Sequence, residues 1–169
     1  MAKIRIELNN GKNIDIELFE DKAPVSVENF LKYVDDGFFN GTIFHRVIPH
    51  FMIQGGGFID DGEGLREKRA TYPAIKGEFE SNGIINEVKH QPGVISMART
   101  MMKNSATSQF FICVDDCAYL DGEYAAFGKV IDKASLEVAK EISEVSTHYW
   151  RGYDDIPNDP IIIKSIKRI

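Results

Sequence analysis

The chain has 169 residues, 43% of them hydrophobic, and a formal net charge of −6. Its length suits one domain over residues 1–169 with a sizeable core, and no linker-like stretch divides it. The acidic balance argues against nucleic acid or an anionic membrane as partner, and no apolar run approaches the ~18–20 residues of a membrane-spanning helix.

The N-terminus MAKIRIELNN alternates apolar and charged residues, which fits neither a signal nor a transit peptide, so a cytoplasmic location is expected. In KIRIEL the residues Ile4, Ile6 and Leu8 share a face, and in NIDIEL so do Ile14, Ile16 and Leu18. Asn10-Gly11 between them supplies the positive φ of a tight turn, predicting an antiparallel hairpin with one wet face. The stretch APVSVENFLKYVDDGFF predicts a helix. Pro24 suits its first turn, Val27, Phe30, Leu31 and Val34 form one stripe, and Gly37 suits its end.

Downstream come short β-branched or aromatic runs: GTIFHRVI, FMIQGG, GVISMA, SQFFICV, YAAFGKVI and PIIIKSIKRI. SQFFIC is apolar on both faces except at Gln109, so that strand is expected to be covered on both sides or to line a filled barrel interior. Between Gly57 and Val94 runs a long polar, Gly-rich segment, longer than an ordinary connection and expected to be functional or elaborated. A second helix, KASLEVAKEISEV, presents Leu136, Val138, Ala139, Ile142 and Val145. About eight short strands with two helices predict a mainly β fold, an antiparallel barrel or sandwich with helices over its open ends or a face.

Familiar catalytic constellations are missing. The triplet Gly55–Gly57 lacks the Lys-Ser/Thr of a phosphate loop and reads as a close backbone approach or turn. His45 and His50 alternate faces of an extended segment and cannot readily share a metal, so no metal site is expected. There is no Gly-x-Ser-x-Gly elbow, and no histidine stands where triad logic demands one. Cys113 and Cys117 are too few for a disulfide framework, and Cys-x3-Cys is not the usual zinc spacing, so both are expected as reduced structural thiols. The doubled aspartates, Asp154-Asp155 among them, read as turn or helix-end residues.

FHRVIPHFMIQGGGF resists a bland account, because Arg46 stands among Phe44, Val47, Ile48, Phe51, Met52 and Ile53, and a buried guanidinium needs a partner. In a strand Met52 and Gln54 share a face, and the break at Pro49-His50 lets Phe51 turn toward it. With the distant SQFF run, Phe51, Met52 and Phe111 can form an apolar floor rimmed by Arg46, Gln54 and Gln109. Period and composition alone favour the bland alternative, in which these aromatics are ordinary core residues.

At these residues the sequence resembles the cyclophilin family of peptidyl-prolyl cis-trans isomerases, through FHRVIPHFMIQGGGF, GVISMART…SATSQFFI and YLDGEYAAFGKV, and the order of elements matches along essentially the whole chain. The segment around IKGEFESNG is closer to the bacterial branch. The resemblance implies a closed eight-stranded antiparallel β-barrel capped by two α-helices, with the site on its outer surface and no cofactor. It implies Arg46 as the catalytic arginine, with Gln54 and Gln109 flanking it, and a proline pocket of Phe51, Met52 and Phe111 beside Leu120. Ala98, Arg99 and Thr100 fall in the segment binding the residue before proline, with Arg99 where the family usually has asparagine. Tyr119 replaces a common tryptophan and Tyr124 a common histidine, so cyclosporin is expected to bind more weakly than to tryptophan-bearing members. The partners implied are proline-containing peptides and unfolded proteins, met by a monomer. The competing classes are a proline-peptide binding module and a scaffold recruiting partners through residues 57–94.

Overall fold

The computed structural model describes every residue from Met1 to Ile169. Strands β1 (Lys3–Leu8) and β2 (Asn13–Leu18) precede helix α1 (Pro24–Asp35). Then come β3 (Phe44–Ile48), β4 (Met52–Gly55), β5 (Phe58–Asp60), β6 (Leu65–Glu67), β7 (Val94–Met97), β8 (Phe110–Cys113) and β9 (Ala126–Val130). Helix α2 (Lys133–Ser143) is followed by β10 (Thr147–Trp150), β11 (Tyr153–Pro157) and β12 (Ile163–Arg168).

The first hairpin forms as its alternation predicts: Ile4, Ile6, Leu8, Ile14, Ile16 and Leu18 are all buried. Its turn differs in one detail, because only Gly11 has positive φ, at 84°. Its N–H bonds the Leu8 carbonyl while Asn10 Oδ1 accepts from the Lys12 N–H.

In α1 the expected stripe, Val27, Phe30, Leu31 and Val34, is buried. Ala23 at its N-cap has no side chain able to cap it. The free amides of Val25 and Ser26 donate instead to the Glu78 carboxylate, at 3.2 and 2.6 Å. Glu78 and the fully buried Phe79 belong to the long polar segment, so part of that segment holds the fold together. Helix α2 starts on Asp132, whose carboxylate accepts the Ser135 N–H at 2.8 Å. Ala139 and Ile142 are buried, whereas Leu136, Val138 and Val145 are only half-buried.

The main sheet has eight strands in the order β12-β1-β2-β9-β7-β8-β4-β3, every neighbouring pair antiparallel. It curls around a core into which both helices turn their apolar stripes; Phe30 of α1 meets Phe39, Phe127 and Phe110 at ring-centroid distances of 5.2, 5.2 and 5.6 Å. Strand number, direction and helices agree with the expected barrel, but its closure does not. Strands β3 and β12 share no ladder and approach through a single bridge, Ile43 to Ile162. The Ile163 N–H reaches the Thr42 carbonyl at 2.8 Å and the Phe44 N–H reaches Ile161 at 3.0 Å. Beyond Phe44 a bulge turns β3 out of register and β11 packs along it, so the ladder cannot continue.

Strand β8 is covered on both faces as expected. Phe110 and Ile112 join the main core, while Phe111 and Cys113 join a smaller outer cluster with Met52 and Cys117. Two small hairpins, β5–β6 and β10–β11, carry no clear alternation in the sequence and add to the eight expected strands. Their strands are short and largely exposed, so no buried face imposes a period. No helix is long and apolar enough to cross a membrane.

Candidate active site

Phe44 and Val47 are both in the main core, yet they stand three residues apart, which a regular strand cannot put on one face. The register explains it: Phe44 faces Gly55 and Arg46 faces Gln54, so His45 is an extra residue in β3. Without that bulge Arg46 would share the face of Phe44 and enter the core. With it, the guanidinium turns to the outer surface beside Gln54.

There Arg46 Nη1 donates to Gln54 Oε1 at 3.4 Å, and Gln54 Nε2 donates to Gln109 Oε1 at 3.0 Å. Gly57 leaves the room this relay needs, since a Cβ there would come within 2.4 Å of Gln109 Cγ. Gly56, at φ 88°, is wedged against Phe39, Phe110 and the Ser108 carbonyl. The triplet is thus a close backbone approach.

Beside the guanidinium lies a cavity of about 110 Å³, several water molecules' worth of space. Met52 and Phe111, nearly fully buried, form its floor. They share the outer face because β4 and β8 pair Gln54 with Phe111 and Met52 with Cys113. Phe51, Ala98, Leu120 and Tyr124 form its walls, and Arg46, Gln54 and Arg99 its polar edge. The Tyr124 ring stands edge-on to Phe111 at 5.7 Å. Three of the expected residues lie outside this cavity. Gln109 and Thr100 line an adjoining polar recess of about 250 Å³. Tyr119 is 67% exposed, with its ring 5.9 Å from that of Phe51.

Arg99 is committed to the protein itself. Its Nη2 and Nε donate to the Glu123 carbonyl at 2.6 and 3.2 Å, and the guanidinium lies over the rings of Tyr124 and Phe79 at 4.6 and 4.9 Å. Stacking and bonding together fix the wall that carries Tyr124.

The fold also assembles a line of hydrogen bonds that sequence reading missed. Asp121 Oδ1 lies 2.9 Å from His90 Nδ1, and His90 Nε2 lies 2.9 Å from Ser96 Oγ. The connectivity is that of a serine triad, but Ser96 is fully buried and its hydroxyl meets no substrate. Its consequence is positional, because the His90 ring stacks on Phe111 at 6.1 Å and the His90 carbonyl holds the Cys117 N–H at 2.8 Å. Burial pushes the His90 pKa down, while the bond to Asp121 works the other way. Asp121 lies 31 residues from His90, and the six-residue spacing from His90 to Ser96 matches no motif, so no local spacing announces the line. Cys113 and Cys117 are free and buried beneath the floor, and burial raises both thiol pKa values.

A family model described as cyclophilin type peptidyl-prolyl cis-trans isomerase/CLD matches residues 3–168. Peptidyl-prolyl cis-trans isomerase A of Dickeya dadantii is 51% identical over 162 residues, covering 93% of this chain and 80% of that protein. Peptidyl-prolyl cis-trans isomerase B of Escherichia coli is 42% identical over 171 residues, covering 96% and 97%. Among solved structures, a cyclophilin type isomerase of Cryptosporidium parvum superposes with a TM-score of 0.79 at 32% identity, covering 99% of this chain and 97% of that one. The same Cryptosporidium protein in the presence of the dipeptide Ala-Pro gives a TM-score of 0.76 at 32% identity, with coverage of 98% and 97%. The chain therefore belongs to the cyclophilin family of peptidyl-prolyl cis-trans isomerases, and its enzyme class is isomerase.

Proposed function

We propose that the chain accelerates rotation about X-Pro bonds in flexible or unfolded client chains, assisting their folding in the cytoplasm as a single-domain monomer over residues 1–169. The observation that carries the mechanism is a guanidinium held by the Gln54–Gln109 relay at the edge of an apolar notch. The relative whose structure was determined in the presence of Ala-Pro supports proline-containing peptides as the substrate.

An X-Pro amide resists rotation through resonance, with a barrier of ~18–20 kcal/mol, and exchanges unaided over tens of seconds. No bond to the substrate is made, so the site must favour the twisted amide over both planar forms. On twisting, the prolyl nitrogen recovers its lone pair and becomes an acceptor. A directed Arg46 N–H then stabilises the transition state and offers little to the planar amide. Met52, Phe111 and Phe51 grip the pyrrolidine ring out of water, which strengthens the arginine's interaction while the acyl side rotates. Gln54 orients the guanidinium and Gln109 orients Gln54.

Measured by NMR exchange on an Ala-Pro peptide, Arg46→Ala should lower kcat/KM by about 10²–10³, the scale of one oriented transition-state donor. Its thermal stability should barely change, because Arg46 is exposed. Wild-type turnover by the variant would refute the assignment. Cyclosporin should inhibit this enzyme less potently than tryptophan-bearing relatives, since Tyr119 lacks the indole N–H; equal potency in a drug titration would contradict that.

A further inference from the structure

Arg46 stands between two recesses. One is the proline notch; the other, about 520 Å³, also holds His45 and Phe58 and extends to Tyr153, Asp154 and Asp155 of β11. Its cations, Arg46 and Arg99, lie on the side shared with the notch, and its anions lie on the hairpin.

That hairpin is firmly built. Arg151 and Gly152 both take positive φ, 45° and 90°, as a two-residue mirror-image turn requires. Trp150 lies against Gly64, where a Cβ would come within 2.3 Å of the indole, and the Tyr153 ring meets Phe58 edge-on at 5.4 Å. Between the pairs His148–Ile156 and Trp150–Tyr153, β11 carries an extra residue, with Asp155 at φ 62°. A bulge of this kind re-aims side chains, as the one at His45 does in β3.

Two observations show what the recess lacks. Neither Asp154 nor Asp155 takes part in any of the molecule's ion pairs. His45, only 5% exposed, lines the same recess, and its Nδ1 is the one buried side-chain nitrogen or oxygen without a hydrogen-bond partner. Burial, and then the charge of Arg46, push its pKa down to about 4, so the ring is neutral and offers a lone pair. Unpaired carboxylates and a half-open tyrosine face lack a cationic N–H donor, and the unpartnered Nδ1 accepts one in the tautomer that carries its proton on Nε2.

We infer that this recess receives a lysine or arginine side chain of the peptide whose proline fills the notch, so that basic residues near proline mark the preferred substrates. The inference rests on the isomerase reading above. Repulsion from Arg46 and Arg99 keeps the cation away from the notch side, which places the basic residue two or three positions from proline, at ~3.3–3.6 Å per extended residue. The chain's net charge of −6 attracts the same class of peptide.

The test compares kcat/KM for Ala-Pro peptides carrying one lysine at each of the three positions on either side, with alanine or glutamate there as controls. The proteins are the wild type and a double variant, Asp154→Asn with Asp155→Asn; asparagine tolerates the positive φ at position 155. The best-placed lysine should raise kcat/KM about 5–10-fold over alanine, mainly through KM, and glutamate should lower it. The advantage should shrink below about twofold in the double variant and in ~0.5 M salt, while alanine-peptide rates stay the same. Equal rates for lysine and alanine peptides at every position, or an advantage that survives the double substitution, would overturn the inference. Absence of turnover on the alanine peptide by wild type would instead overturn the isomerase reading.

Discussion

His45 is a residue the fold keeps neutral. Its pKa of about 4 lies below the ordinary 6.5, chiefly through burial. Between those values the unfolded chain takes up a proton that the folded one refuses. Its contribution is therefore unchanged above pH 6.5 and turns against folding as pH falls toward 4, by up to about 3 kcal/mol. His90, also shifted down by burial, acts in the same direction. Urea denaturation at pH 7.5, 5.5 and 4.5 should show stability falling over that window, and His45→Leu should flatten the fall. An unchanged slope in the variant would assign the acid sensitivity elsewhere. The sequence marks His45 only as one of an alternating pair; that it is buried without a partner follows from the bulge it occupies and from Phe58, whose ring lies 4.3 Å away.

Elements differ in how much of their support is local. The first hairpin and the stripe of α1 are readable because alternation and 3.6-residue spacing belong to the segment itself. The start of α1 is not, because the group that caps it, Glu78, arrives from the long polar segment and bonds the Ser26 N–H at 2.6 Å and its hydroxyl at 2.8 Å. Glu78 is buried, so Glu78→Ala should leave helix amides and a hydroxyl unsatisfied and lower stability by about 2 kcal/mol, with Glu78→Gln milder because one acceptor remains. Chemical denaturation of both variants checks this, and wild-type stability in the alanine variant would remove the cap from the account. Strand β3 teaches the same lesson at the site. A regular two-residue period would send Arg46 inward with Phe44, and only the cross-strand register with β4 turns it out.

For the whole molecule, eight antiparallel strands and two helices follow from the order of apolar runs and turns, but the manner of closure does not. A single bridge between Ile43 and Ile162 completes the sheet, because the bulge and the packing of β11 divert β3 from a full ladder. The candidate site divides along the same line. Arg46 and Gln54 stand out locally as a charge and an amide amid apolar runs, whereas Phe51, Met52 and Phe111 read as core by pattern alone and are marked as a pocket only by the motif resemblance. The His90–Asp121–Ser96 line, the commitment of Arg99 to Glu123, and the acidic recess beside β11 cannot be singled out from the residues in order. By itself the chain's order of residues determined the strands of the main sheet, the two helices and most of the faces they bury, though not the two small hairpins or the turn of β3, because propensity and periodicity act over a few neighbours. Tertiary structure alone decided where the arginine points, what holds it and what surrounds the notch, because those partners are distant along the chain and are chosen by register and packing.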